Sequence, residues 1–335
     1  MKLLVTGGAG FIGSNFIRQY LKTHPGDSLI NLDLLTYAGN LENLAEVEGN
    51  PNYTFVKGDI CDRDLVFDLV KEADAVVHFA AESHVDRSIQ DPSAFIRTNV
   101  LGTQTLLDAI REHGKRFHHV STDEVFGSLG PGDAPFNERT SYDPRSPYSA
   151  SKAASDHLVR SYFHTYGIEM TISNCSNNYG PYMFPEKFIP LAITNLLEGK
   201  KIPIYGDGAQ IRDWIHVDDH NRGVDNILHK GEIGETYCLG GGNELKNIDV
   251  AKMIATHLDI PAEDAIEFVT DRPGHDRRYA MSYAKAKGEL GWEPQVTFEE
   301  GLAKMIEWYK NNLDWVERCK SGAYREYYEK QYGNN

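Results

Sequence analysis

Sulfur is scarce in this 335-residue chain. Its four cysteines, Cys61, Cys175, Cys238 and Cys319, lie far apart and form no C-x-x-C pair. A disulfide framework and a cysteine-built metal centre are thereby excluded as organising principles, a reducing compartment fits, and no metal site is expected. Positive charge is also short. Lys and Arg number 34 against 49 Asp and Glu, a formal net charge of −15. That balance excludes a general nucleic-acid or anionic-membrane binder. An anionic ligand would have to be met by local basic groups acting against the overall field. Long apolar runs are missing too. The opening Met1-Lys2-Leu3-Leu4-Val5-Thr6-Gly7 is too short for a signal peptide or a membrane span and leads straight into structure, so a cytoplasmic location is expected. Internal repeats and low-complexity segments are absent as well.

What is present is an ordinary enzyme composition, 41% hydrophobic and 25% charged. The length exceeds the usual single-core limit, so two lobes or one large α/β unit are expected. Residues 2–6 form a short β-favouring apolar run. Gly7-Gly8-Ala9-Gly10-Phe11-Ile12-Gly13 follows at once, and residues 11–22 read as a helix. A second strand over 28–32 ends in Asp33. Gly8, Gly10 and Gly13 satisfy G-x-G-x-x-G. Such glycines permit a tight turn and let backbone N–H groups approach a pyrophosphate at a helix N-terminus. An acid after the second strand can accept from adenosine ribose hydroxyls. Leu34-Leu35-Thr36 offers no arginine or lysine for a 2′-phosphate, which favours NAD over NADP.

The strand–helix alternation continues. Strands are expected at 53–56, 75–79, 117–120 and 169–172, with helices near 41–48, 62–72, 92–113 and 147–166. This is the rhythm of a doubly wound parallel sheet, a Rossmann α/β fold. Asp91-Pro92 and Gly114 read as the start and stop of the fourth helix. Asp59, after the third strand, could contact an adenine amino group or cap the helix 62–72. Ala80-Ala81, after the fourth, would let a cofactor lie close. Past residue 174 the rhythm breaks into a polar turn cluster, 174–181, and a proline-punctuated stretch. The expected division is a nucleotide-binding domain of residues 1–174 plus a returning segment near 214–240, and a smaller mixed α/β substrate lobe of 175–213 and 241–335. The tail from 297 to 332 reads as helical, its aromatics mostly packing residues.

Two constellations carry chemistry. In Tyr148-Ser149-Ala150-Ser151-Lys152 the spacing puts phenol and ammonium on one helical face, one turn apart. Ser146-Pro147 is a helix-start signature, so Tyr148 belongs to the first turn. A nearby ammonium favours the phenolate, which suits proton exchange with a hydroxyl. The fifth strand ends in Ser121-Thr122-Asp123-Glu124. Two adjacent carboxyls at the carboxyl end of a parallel strand should have their pKa values pushed apart, leaving one acid and one base.

The glycine turn and Y-x-x-x-K together resemble the extended short-chain dehydrogenase/reductase family of sugar-nucleotide enzymes. Thr122-Asp123-Glu124, residues 81–86, Asn177-Asn178-Tyr179-Gly180-Pro181 and Asp271-Arg272-Pro273-Gly274-His275 are similar to its 4,6-dehydratase branch, over essentially the whole chain. The resemblance implies a tightly bound NAD recycled each turnover, dTDP-glucose as substrate, and a homodimer. Another NAD-dependent GDP- or UDP-sugar dehydratase, decarboxylase or epimerase stays as the alternative. Tyr148 with Lys152 would serve the first oxidation, Thr122 the 4-oxygen, Glu124 the C5 proton and Asp123 the departing hydroxyl.

The resemblance also implies contacts. For the cofactor these are Gly7, Gly10, Phe11, Ile12 and Gly13 at the turn, and Asp33, Leu34, Leu35 and Thr36 after the second strand. Asp59, Ile60, Phe79, Ala80, Ala81, Ser83, Thr98, Tyr148, Lys152 and Asn178 complete that set. For the substrate they are Ser83, Asn177, Lys187, Phe188, Pro203, Ile204, Tyr205, Arg212 and Asn247. Asp271, Arg272, Pro273, Gly274, His275 and Tyr332 complete the second set. A dimer of this type would pair the helices 92–113 and 147–166. Leu106, Leu107, Ile110, Leu158, Tyr162 and Phe163 could form its seam or the chain's own core.

Overall fold

The computed structural model describes residues 1–271 and 275–320. Its first half is built on strands β1 (Lys2–Thr6), β2 (Ser28–Asp33), β3 (Tyr53–Lys57), β4 (Ala75–His78), β5 (Arg116–Thr122) and β6 (Met170–Cys175). The strands β7 (Asn177–Tyr179), β8 (Ile202–Tyr205) and β9 (Ile211–His216) follow. Then come β10 (Thr236–Leu239), β11 (Glu244–Lys246) and β12 (Ile266–Val269). The main sheet has seven strands in the order β10-β6-β5-β4-β1-β2-β3, all parallel. Order reverses between β1 and β4, and the crevice beyond their carboxyl ends is where such sheets bind ligands. Strands covered on both faces are buried throughout: β4 and β6 are buried at every position and β1 at all but Lys2, so the polar Thr171, Ser173 and Asn174 of β6 are buried too.

Helices cover both faces. Phe11–Thr23 and Val217–Lys230 lie against one, through Phe16, Ile17, Val224 and Ile227. Arg63–Glu72, Thr103–His113 and Pro147–Tyr166 lie against the other, through Val66, Val70, Leu107, Ile110 and Val159. A separate core of Ile189, Ile193, Trp214, Val250, Ile254, Phe298, Met305 and Tyr309 joins β8, β9 and the helices Phe188–Leu197, Asn247–His257 and Phe298–Asn311. Strand pairs β11–β9, β9–β7 and β12–β8 belong to this second group.

Several sequence expectations need correction. Residues 41–47 are a 3₁₀ helix, not α. Asn177–Tyr179, expected as turn, is a strand paired with β9. In the segment near 214–240 only β10 enters the main sheet, since β9 belongs to the small one. Asp62, not Asp59, caps the helix at 63, accepting from Leu65 N at 3.2 Å. The expected helix 92–113 starts at the Asp91 cap and stops at left-handed Gly114, but Ile96–Gly102 within it is a π-helix. Leu106, Leu107 and Ile110 are fully buried within the chain's own core. The large apolar side chains left exposed nearby are Ile89, Ile96, Leu101 and Tyr166.

Candidate active site

The cleft forms where β1, β4 and β5 end. At its floor, Gly7 adopts φ 74°, and a Cβ there would stand 2.5 Å from Ala80 N. A Cβ on Gly13 would stand 2.3 Å from Gly7 O. Only glycine fits either place, and the helix Phe11–Thr23 can therefore begin directly over the turn. Its N-cap is Gly10, with no side-chain cap. The first backbone N–H groups of this 13-residue helix thus face the cleft beside Asp33. Asp33 Oδ2 accepts from Ala9 N at 2.9 Å and Oδ1 from Leu35 N at 2.8 Å, so the carboxylate is fixed at the end of β2. Burial raises its pKa, opposed by those two backbone donors.

Tyr148 and Lys152 stand on the helix Pro147–Tyr166. A reciprocal box sets its start: Ser149 N donates to Ser146 Oγ at 3.1 Å, and Ser146 N to Ser149 Oγ at 3.0 Å. Both side chains are buried. Lys152 Nζ donates to Val120 O at 2.8 Å, which aims it between β5 and the cleft. Beneath it lies Asp156, fully buried, accepting from Ser121 Oγ at 2.9 Å and Tyr142 OH at 2.8 Å, with His119 Nε2 at 3.1 Å. Burial alone would raise the Asp156 pKa, but His119 and the Lys152 charge lower it. Lys152 is lowered by burial, with Asp156 pulling the other way. The expectation that the ammonium lowers the phenol fails here. Burial, then the Glu124 charge, push Tyr148 well above the usual phenol range, with a Thr122 hydrogen bond in partial opposition.

Asp123 and Glu124 open a short 3₁₀ turn at the end of β5. Thr122 Oγ1 accepts from Glu124 N at 3.2 Å and reaches Asp123 Oδ1 at 3.1 Å. Asp123 is 2% exposed, whereas Glu124 is half-buried. Burial first, then the Glu124 and Asp213 charges, raise Asp123 well above the carboxylate range; Arg212 opposes this weakly. So burial favours the neutral form of Asp123, while Glu124 keeps contact with solvent.

All five expected catalytic residues line this cleft, as does every expected cofactor contact except Leu35, whose backbone instead holds Asp33. Asp59 lines it while tied to Cys61 N and to Arg97 at 2.6 Å. Of the expected substrate contacts, Ser83, Asn177 and Lys187 line it, with Lys187 Nζ on Ser83 O at 3.0 Å. Three buried side-chain oxygens here, Asp123 Oδ2, Asn177 Oδ1 and Asn178 Oδ1, have no hydrogen-bond partner among the described residues. Unpaired polar atoms at a cleft are what a polar ligand satisfies.

The remaining substrate candidates do not line the cleft. Phe188 packs against Trp214. Tyr205 meets the His275 ring edge-on at 6.0 Å, His275 Nδ1 lies 2.6 Å from Asp271 Oδ1, and Asp271 also takes a bond from Gln210 at 3.0 Å. Asn247 N reaches Gln210 O, which ties Asn247 to the same cluster. Pro203 and Ile204 belong to β8, with Ile204 buried. Arg212 lies between the groups, over the Tyr279 ring at 4.2 Å and close enough to act on Asp123. Arg272, Pro273, Gly274 and Tyr332 lie outside the described residues.

Sequence reasoning missed Tyr37 and Glu186, which also line the cleft, as does Glu82 from the motif of residues 81–86. Arg87 links them, bonding Glu186 Oε2 from two nitrogens at 3.2 Å and lying 3.9 Å over the Tyr37 ring. No local pattern marks Tyr37 and Glu186, because the two come from separate loops. Asp156 was findable, since it is four residues past Lys152 on one helical face.

A family model described as GDP-mannose 4,6 dehydratase matches residues 4–305. A dTDP-glucose 4,6-dehydratase of Xanthomonas campestris pv. campestris is 54% identical, covering 96% of this chain and 97% of that one. One from Escherichia coli is 53% identical over 99% of both. DesIV, a dTDP-glucose 4,6-dehydratase from Streptomyces venezuelae solved with NAD bound, superposes with a TM-score of 0.93 at 50% identity, covering 96% of this chain and all of that one. A UDP-glucose 4-epimerase from Thermotoga maritima, solved with UDP-glucose, gives a TM-score of 0.86 at 29% identity, covering 93% and 100%.

Proposed function

The chain belongs to the dTDP-glucose 4,6-dehydratase family, and from that premise we propose that it converts dTDP-glucose to dTDP-4-keto-6-deoxy-glucose in this cleft. The observation that carries the reading is the unequal burial of the pair: a buried Asp123, whose neutral form burial favours, next to a half-buried Glu124, both acting on Tyr148. Loss of water across C5–C6 requires one base and one acid, and a plain oxidoreductase or epimerase has no use for both.

The residues fit NAD. The uncapped helix start receives the pyrophosphate, and Asp33 the adenosine ribose. Bound there, NAD supplies the hydride acceptor for C4 and returns the hydride to C6. Tyr148 takes the proton of the 4-hydroxyl, and Thr122 holds the 4-oxygen. The 4-ketone acidifies C5–H, and Glu124 removes that proton. Asp123 gives its proton to the 6-hydroxyl, which departs as water. Glu124 then returns a proton to C5. Lys187 and Arg212 meet the diphosphate, supplying local positive charge in an acidic chain. The Tyr205–His275–Asp271–Asn247 cluster receives the nucleoside from the second lobe.

A cytoplasmic homodimer completes the proposal. No helix among the described residues is long and apolar enough to cross a membrane. Four free cysteines suit a reducing compartment.

The test is a substrate panel. Purified protein with dTDP-glucose should yield a 4-keto-6-deoxy sugar, read by its alkaline ultraviolet absorbance. Turnover of GDP-mannose or UDP-glucose in its place would overturn the nucleotide assignment.

A further inference from the structure

A cluster remote from the cleft has no part in this chemistry. His24 terminates the helix Phe11–Thr23, and Asp225 and His229 sit one turn apart on Val217–Lys230. The three converge where the two helices meet. Asp225 Oδ1 is 3.1 Å from His24 Nε2 and 3.3 Å from His229 Nε2. One ligand atom from each of the three lies within 4.8 Å of the others.

We propose that His24, Asp225 and His229 bind one zinc-class divalent cation. Zinc takes imidazole nitrogen and carboxylate oxygen at ~2.0–2.1 Å in a tetrahedron, which sets ligand atoms about 3.3 Å apart. The observed separations from Asp225 Oδ1 are already of that size. Two imidazoles and one carboxylate suit zinc or its neighbours better than calcium or magnesium, which prefer oxygen throughout. The rings are held in place. Tyr20 is buried, with its centroid 4.3 Å from that of His24 and 6.2 Å from that of His229, the latter ring nearly parallel. Its hydroxyl donates to Asp27 at 2.8 Å. All three ligands keep about a quarter to a third of their side-chain surface exposed, so an ion can enter and water can take the fourth position.

The ion would strap the helix that starts at the glycine turn to the helix preceding β10. These two already touch through Asn221 Nδ2 and Ile12 O at 3.3 Å. The site was invisible to cysteine spacing because two hundred residues separate its halves and only the Asp225–His229 step is local.

Titration calorimetry of the NAD-loaded enzyme with zinc chloride tests the proposal. One ion per chain is expected, removable by chelator, with the melting temperature raised a few degrees. Asp225→Asn and His229→Gln should each abolish that binding event, Cys61→Ser should leave it intact, and turnover should stay unchanged throughout. Cobalt added to the unaltered protein should give the intense visible absorption of a tetrahedral site without a thiolate band, a readout independent of any variant's folding. No stoichiometric binding, binding that survives Asp225→Asn, or a thiolate band with cobalt would each overturn the assignment. In that case Asp225 is only a shared hydrogen-bond acceptor.

Discussion

Asp123 and Glu124 are chain neighbours with opposite proposed tasks, and one backbone turn sets them apart. The 3₁₀ turn at the end of β5 drives Asp123 inward, where burial favours its neutral form, and leaves Glu124 half in solvent. The proposed roles then give separable losses. Asp123→Asn keeps the shape but has no acidic proton, so kcat should fall ~10²–10⁴-fold while exchange of the C5 hydrogen with deuterated solvent survives. Glu124→Gln should instead stop that exchange, read by mass spectrometry of recovered sugar. Exchange retained in Glu124→Gln would reject Glu124 as the base. Tyr148 belongs to the same scale. Burial and Glu124 push its phenol up, opposed in part by the Thr122 hydrogen bond. Lys152, bonded to Val120 O, orients the helix face as well as charging it.

Three loops, from the ends of β2 and β4 and ahead of the helix Phe188–Leu197, are pinned together by Tyr37, Arg87 and Glu186. The Glu186 side chain is only 1% exposed, and burial raises its pKa against the nearby Lys187 and Arg87 charges. Arg87→Met would strand that carboxyl, which costs about 3 kcal/mol or more when a buried pair loses one partner. Denaturant unfolding should show the loss, and adding Glu186→Gln should recover most of it. If the double variant is as unstable as the single, the ion pair is not what holds these loops. The same scale shows where sequence reasoning stops. Asp91-Pro92, Gly114 and Ser146-Pro147 marked helix ends correctly because caps are local chemistry. The π-helix Ile96–Gly102 left no trace, because tertiary bonds fix it. Asn99 within it donates to Ser151 Oγ at 2.8 Å and pairs with both the N–H and the C=O of Glu82. Leu106, Leu107 and Ile110 are buried in the chain's own core, so the proposed dimer would have to draw on exposed side chains of this region such as Ile89, Ile96 and Leu101. Leu101→Glu should therefore shift sedimentation from dimer to monomer.

Across the whole molecule, the alternating strands made the parallel sheet and the catalytic motifs legible, because each rests on spacing within one element. The second lobe was not, since β7, β8 and β9 are short and pair across long chain distances. Nor was the set of histidines buried in the first half's core and behind it. His119 and His220 are fully buried, and burial lowers both to about 4, opposed by Asp156 and by Asn221 respectively. His78 and His118 are also lowered well below the usual imidazole range, again by burial first. Each is neutral in the folded chain but takes a proton near pH ~6.5 once unfolded. Between those values the unfolded state binds more protons, so stability falls as pH drops from about 6.5 toward about 4. For His119 and His220 the full span is on the order of 3 kcal/mol each. Asp213 works the other way. Burial raises it to about 6, so the folded chain holds its proton where the unfolded one does not, and it offsets part of the loss below pH 6. Asp33, Glu82, Asp123 and Glu186 are raised by burial too and add to that offset, while the lowered Asp27, Asp59 and Asp156 add to the loss beside the four histidines, so acid destabilisation is the expected net outcome. Calorimetric melting at pH 7, 6 and 5 should show a progressive fall. His220→Gln, which keeps a group able to donate to Asn221, should flatten that fall. An unchanged melting temperature from pH 7 to 5 would mean that the buried histidines are not the acid-labile part of this fold.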